Sequence, residues 1–184
     1  MPTGRPTKQD LAEAYGRTLP DLVAPGLRVL LVGINPSLYS GWSGHHFASP
    51  GNRLWRTLHE AGLTRRTLHA SEQDAILASG LGITNLVARA TARADELTDD
   101  ELRAGVAPLT ALAERVGPAW VAFLGLSAYR VAFGEPRAKI GAQQRTLGPA
   151  GVWLLPNPSG LNAHYQQPAL TAAYAELREV AYSS

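Results

Sequence analysis

The sequence predicts an α/β fold: a three-layer αβα sandwich around a short, mainly parallel central sheet of four strands. Three observations predict it. Short apolar, β-branched or aromatic runs alternate with longer helical patterns along the chain, the order in which strands and crossover helices build a parallel sheet. The runs are of strand length and the patterns between them carry helical spacing. The 184 residues, 45 % hydrophobic and 17 % charged, sit within the size and composition of one domain with a real core.

Taken in order, residues 1–21 hold Gly, Pro and scattered charges without periodicity, and are expected to form a poorly ordered arm ahead of a single domain at 22–184. The first strand pattern is Arg28-Val29-Leu30-Leu31-Val32. Asn52 to Ala61 is an amphipathic helix with Leu54, Trp55 and Leu58 on one face. Ser71-Glu72-Gln73-Asp74 and Thr98-Asp99-Asp100-Glu101 have the form of capping boxes and open helices on either side of a second strand, Leu81 to Leu86. Trp120 to Leu124 and Val152 to Leu155 supply the third and fourth strands. Pro168 to Ala181 closes the chain as a helix, with Leu170, Tyr174 and Leu177 at helical spacing.

Composition removes several classes of function. With no cysteine there are no disulfides and no thiolate zinc sites, which fits a reducing compartment. No apolar run approaches the ~20 residues of a membrane span, and Met1 to Pro25 lacks the apolar middle of a secretory signal. The expectation is a cytoplasmic, nucleoid-associated monomer with no membrane partner. Net charge is +2, and of 17 basic residues only Lys8 and Lys139 are lysines. Arginine's planar fork suits phosphate, although a codon bias toward Arg gives the same skew.

In an open parallel sheet, ligands bind beyond the carboxyl ends of the strands. Those ends are Gly33-Ile34-Asn35-Pro36-Ser37, Val87-Ala88-Arg89-Ala90-Thr91, Gly125-Leu126-Ser127 and Pro156-Asn157-Pro158-Ser159-Gly160-Leu161-Asn162. The first and last are dense in Asn, Pro, Ser and Gly, which hold a backbone in a fixed irregular path. Pro36 restrains Asn35 to an extended conformation. A restrained carboxamide orients a water through its carbonyl oxygen but cannot take its proton; an Asx-type turn is the plainer role. Leu161 follows a tight turn among small and polar residues, a placement that suits a wedge between stacked base pairs, or a Leu tucked beneath its own loop. The Trp42-to-Pro50 loop sets aromatics among Gly and Ser, a surface on which a base can stack. The adjacent His45 and His46 point opposite ways in an extended loop and have no third ligand nearby, so no metal is expected.

Gly33-Ile34-Asn35-Pro36 together with Asn157-Pro158-Ser159-Gly160-Leu161 resembles the two signature motifs of the mismatch-specific uracil-DNA glycosylases, relatives of thymine-DNA glycosylase. The likeness extends to Leu22–Asn35, Phe47–Trp55, Gly82–Val87 and the final helix, so it covers nearly all of the chain from Leu22 onward. It implies the uracil-DNA glycosylase fold and hydrolysis of the bond between sugar and a uracil flipped from mismatched double-stranded DNA. It also implies roles. Asn35 holds the attacking water, Phe47 stacks on the base, and the backbone around Ile34 and Asn35 bonds the pyrimidine edge. Ser37, Asn157 and Ser159 line the base site. Gly160, Leu161 and Asn162 form the insertion loop, and no cofactor is implied. Two positions depart from the pattern: Ser37 stands where relatives often have Gly, and Asn162-Ala163-His164 replaces a Ser-Arg that reaches the orphaned guanine in a relative.

Asp95, in the loop before the helix capped by Thr98, is a second candidate for activating water, against an exposed ion pair with Arg93. Competing readings are a serine hydrolase using Ser127, which lacks the second glycine of a nucleophile elbow because Tyr129 stands there, and a damage-binding protein that flips bases without cutting. A dinucleotide site is disfavoured, since the first strand runs into Gly33-Ile34-Asn35-Pro36 without the further glycines of that fingerprint.

Overall fold

A computed structural model describes residues 2–183. Its sheet has the order β2-β1-β3-β5-β4, built from β1 (Val29–Gly33), β2 (Leu81–Asn85), β3 (Trp120–Leu124), β4 (Gly141–Leu147) and β5 (Ala150–Leu155). The β2, β1, β3 and β5 strands run parallel, and β4 is antiparallel to β5. The mainly parallel sheet therefore has five strands, a correction to the four expected. The missed strand, Gly141-Ala142-Gln143-Gln144-Arg145-Thr146-Leu147, lies at the sheet edge and is largely exposed, with a register irregularity between Ala142 and Thr146. An edge strand tolerates polar residues on positions a central strand must bury, so no apolar run marks it. Its turn did carry a signal: Gly148-Pro149 is a two-residue connection with Gly148 at φ +55°, the first-position glycine of a type II′ hairpin.

Period-2 alternation divides the strand residues between two cores. On one face Val29, Leu31, Leu81, Ile83, Ala122, Leu124, Trp153 and Leu155 meet α3 (Leu54–Glu60), a 3-10 helix over Ala70–Ser79, and α7 (Gln167–Ala181). On the other Leu30, Val32, Val121, Phe123, Val152 and Leu154 meet α4 (Asp99–Ala104), α5 (Val106–Val116) and α6 (Leu126–Phe133). Leu54, Trp55 and Leu58 of α3 are buried, and Leu170, Tyr174 and Leu177 of α7 are fully buried, as their spacing predicts. Thr98 caps α4 in a reciprocal box with Glu101. The 3-10 helix instead starts from His69, paired with Glu72, two residues before the Ser71 expected to cap it.

Within the segment set apart as an arm, Thr7 and Asp10 form a capping box that opens α1 (Lys8–Glu13). Ala14 is fully buried against Gly41 of α2 (Leu38–Ser43). The Gly16 N–H donates to the Ala90 carbonyl at 2.8 Å, and Leu22 pairs with Ile83 along the free side of β2. No helix among the described residues is long and apolar enough to cross a membrane.

Candidate active site

The carboxyl end of β1 is the centre of the site. Beyond Gly33 the chain leaves the sheet at Ile34, whose side chain packs on Gly125, at the end of β3. The Ile34 carbonyl accepts the Val87 N–H at 2.9 Å. Asn35 is half-buried, and its Nδ2 donates to the Arg89 carbonyl at 2.9 Å and to Thr91 Oγ1 at 2.8 Å. The Thr91 hydroxyl donates to the Arg93 carbonyl at 2.8 Å, so only its lone pairs face Asn35. A flipped amide would set Oδ1 against two acceptors, so the carboxamide has one favourable orientation. No protein donor among the described residues engages Oδ1.

The segment that receives Asn35 is itself anchored. The Arg89 guanidinium pairs with Glu101 at 2.6 Å and bonds the Tyr15 hydroxyl at 2.9 Å, tying the loop after β2 to α4 and to the chain after α1. That pair holds the Glu101 carboxyl down at about 2, chiefly through the Arg89 hydrogen bond and then through the Thr98 N–H. Ser37 pairs with Thr91 as an isolated bridge, and its hydroxyl caps α2 by accepting the Ser40 N–H at 3.1 Å. The same hydroxyl accepts from Ser49 at 2.9 Å. Ser37 thus joins the β1 end to the loop that carries Phe47.

Phe47 has φ +51°, the one positive φ outside glycine among the described residues. For an aromatic side chain that conformation is strained, on the order of 1–3 kcal/mol, and the flanking contacts hold it. His46 is buried, with Nε2 at 2.8 Å from the Pro20 carbonyl and its N–H donating to Gln73 at 2.7 Å. The Ala48 N–H donates to Ser40 Oγ at 3.1 Å. Burial pushes the His46 imidazole below its ordinary 6.5, with the Pro20 and Asp21 contacts opposing. The strained backbone brings the Phe47 ring edge beside Gly33, where a side-chain Cβ would lie 3.0 Å from it.

Asn85, aligned with Gly33 in the β1–β2 register, also faces that position, with Oδ1 2.6 Å from where a Gly33 Cβ would stand. Sequence reasoning did not place Asn85 in the site. The available signal was a lone carboxamide ending an otherwise buried strand beside a glycine strand end. Thr91 and Arg89 were likewise seen only as part of a strand end; their contacts with Asn35 span more than 50 residues of sequence and left no local mark.

The loop after β5 carries the second motif. Asn157 Oδ1 accepts the Ser159 N–H at 2.9 Å, Ser159 Oγ accepts the Leu161 N–H at 3.2 Å, and Asn162 Nδ2 donates to the Asn157 carbonyl at 2.9 Å. Asn157, Ser159 and Asn162 therefore lace the loop to itself. Leu161 stands at its tip, 86 % exposed. A Cβ on Gly160 would fall 2.5 Å from the Gly51 carbonyl oxygen, so only glycine allows this approach to the chain after Phe47. The β1 and β5 ends are separated by β3, and the 47–53 segment bridges them.

Asp95 lies outside this cluster. Its carboxylate makes a two-pronged bond to Arg93, both distances 3.0 Å, with 67 % of the side chain exposed. Ser127 is exposed on α6, and no histidine or carboxylate bonds it among the described residues.

The parallel sheet and the loops beyond its strand ends thus carry a restrained carboxamide, an aromatic side chain and a projecting apolar tip. The family model of the uracil DNA glycosylase superfamily matches residues 20–178. The fold is similar to the solution NMR structure of a candidate uracil DNA glycosylase from Methanosarcina acetivorans, with a TM-score of 0.60 and 18 % identity over 89 % of this chain and 99 % of that one. The chain belongs to the uracil DNA glycosylase superfamily, a class of hydrolases that act on N-glycosyl bonds in DNA.

Proposed function

We propose that the protein is a monofunctional, mismatch-specific uracil-DNA glycosylase that acts as a monomer on double-stranded DNA, flips out uracil and leaves an abasic site. The observation that carries this reading is the Asn35 carboxamide, whose amino group is bonded on both sides and whose oxygen is left to accept from a water.

The reaction follows from what these groups can do. Phe47 offers the extruded base an aromatic face worth roughly 1–3 kcal/mol. Extrusion costs least at a mismatch, which supplies part of the selectivity. The C1′–N1 bond breaks with its electron pair passing to the base, and backbone donors around Ile34 and Asn35, with Asn85 beside them, favour that negative charge. DNA phosphates favour the positive sugar. The water held by Asn35 Oδ1 forms the new C1′–O bond. Its proton passes to the departing base or to solvent, because a carboxamide has no basic site to keep it. A slow enzyme is the consequence. Hydrolysis of this kind is redox-neutral and uses only water as co-reactant.

The insertion loop supports the duplex preference. Its internal bonds order it before DNA arrives, so Leu161 can fill the vacated stack without first paying for loop ordering. His164, whose N–H is bonded to Asn162 Oδ1, follows the wedge where it can meet the unpaired base opposite.

The test is incubation with end-labelled duplexes carrying U·G, U·A or T·G, and with the single strand, followed by hot alkali. Breaks at the uracil, strongest for U·G, are expected. Intact strands with a gel shift identify a damage-binding protein and overturn the proposal; equal cleavage of U·A and U·G removes the mismatch preference.

A further inference from the structure

Arg53, at the start of α3, has no part in the reaction as derived above, yet it carries a dense set of contacts. Its Nη1 donates to the Tyr165 carbonyl at 2.6 Å, Nη2 to those of Ser159 at 2.9 Å and Asn162 at 3.4 Å, and Nε to that of Pro158 at 3.4 Å. The backbone N–H of Arg53 also donates to the Pro158 carbonyl, at 3.0 Å. No carboxylate lies within ion-pair distance among the described residues. A half-buried cation thus spends its donors on four carbonyls of one loop, and that loop is the one bearing Leu161.

We propose that Arg53 is a positioning residue that clamps the wedge loop to the 47–53 segment, so that Leu161 and the Phe47 face are set as one unit. The proposal rests on the glycosylase reading and deepens it. The loop's internal bonds fix its shape, but they do not fix where it stands relative to the base site. Three contacts do that: the Gly160–Gly51 approach, the backbone bond from the Arg53 N–H to Pro158, and the Arg53 side-chain fork. Bonds from a charged donor are stronger than neutral ones. The guanidinium meets the four carbonyls from three separate nitrogens in one fixed plane, whereas a lysine ammonium has a single nitrogen with three donors. From Arg53 the chain runs back through Gly51 and Ser49, which is bonded to Ser37, to Phe47. Displacement of the wedge is therefore resisted by the elements that hold the stacking face. Base extrusion needs wedge and pocket in register, and misplacement of about 1 Å is enough to cost on the order of a hundredfold in rate.

A mutant cycle tests this by single-turnover excision from a U·G duplex. Arg53→Met slows excision on the order of tenfold to a hundredfold in the native chain, and by less than about threefold in the Leu161→Ala background, because a clamp on an absent wedge has nothing to position. Equal losses in both backgrounds overturn the proposal. If Arg53→Met does not fold, Arg53→Lys is read in the same way. The chain has no cysteine, so Ala163→Cys accepts a single nitroxide label. Arg53→Lys sharpens its spectrum while a label at Val180→Cys on α7 stays unchanged; no change at 163 also overturns the clamp. A native chain that excises no uracil defeats the glycosylase reading, while the label still tests the clamp.

Discussion

The Asn35 amino group donates to the Thr91 hydroxyl at 2.8 Å, and that hydroxyl donates onward to the Arg93 carbonyl at 2.8 Å. The relay makes Thr91 an obligate acceptor toward Asn35 and so decides which atom of the carboxamide is left for water. Asn35→Ala is expected to lower the single-turnover excision rate on the order of a hundredfold or more, the loss that follows when a nucleophile is no longer held. Thr91→Val removes both hydrogen bonds of the relay and leaves the Asn35 amino group held by the Arg89 carbonyl alone; a loss of roughly tenfold is expected, from a bond to Asn35 worth ~1 kcal/mol and an amide left partly unsatisfied. Thr91→Ser, which keeps the hydroxyl, restores most of the rate.

Asp95→Ala is expected to leave excision within about twofold of native, since an exposed pair such as Asp95–Arg93 contributes ~0–1 kcal/mol. Rates and thermal midpoints of Asp95→Ala and the native chain, measured side by side, check this. A large fall in rate with an unchanged midpoint returns Asp95 to the chemistry.

Gly160 and Leu161 are neighbours with opposite expected behaviour. Gly160→Ala drives a methyl into the Gly51 carbonyl and costs ~1–3 kcal/mol of stability as an overpacked contact, with loss of duplex activity. Leu161→Ala removes a side chain of a residue that is 86 % exposed and leaves stability unchanged within about 0.5 kcal/mol. It still slows excision from duplex more than from a single strand. Denaturant titrations and the two substrates separate the effects.

His46 predicts a pH dependence of stability. Its folded pKa lies below the ordinary 6.5 because burial disfavours the charged imidazole. As pH falls below 6.5, the unfolded chain therefore takes up a proton that the folded chain resists. Stability then drops by up to about 1.4 kcal/mol per pH unit until the lowered folded value is reached. Asp21 nearby softens the effect and His45 adds to it. Urea midpoints at pH 7 and pH 5 are expected to converge in His46→Gln, which has no titrating ring.

The strands β1, β2, β3 and β5 were legible because central parallel strands must be apolar on both faces, and Val29–Val32 or Trp120–Leu124 have no other use. The placement of Asn35, Phe47 and Leu161 in irregular segments was legible from the proline, glycine and serine around them, while the roles expected of them came from the family resemblance. Edge strand β4 was hidden by its solvent-tolerant side chains, and α1 by a Gly- and Pro-containing neighbourhood that masked the Thr7–Asp10 cap. Arg53, Arg89 and Thr91 were hidden for another reason. Arg53 donates to backbone carbonyls and Arg89 offers its own carbonyl to Asn35, so no partner's identity announces those contacts, while the Thr91 hydroxyl meets Asn35 across 56 residues of sequence and leaves no local pattern.

The most direct test of the account pairs hot-alkali cleavage with a gel shift on a U·G duplex, for the native chain and for Asn35→Ala. The account predicts alkali-labile breaks at the uracil with the native chain, and with Asn35→Ala retained duplex binding but few breaks. Undiminished cleavage by Asn35→Ala would contradict it.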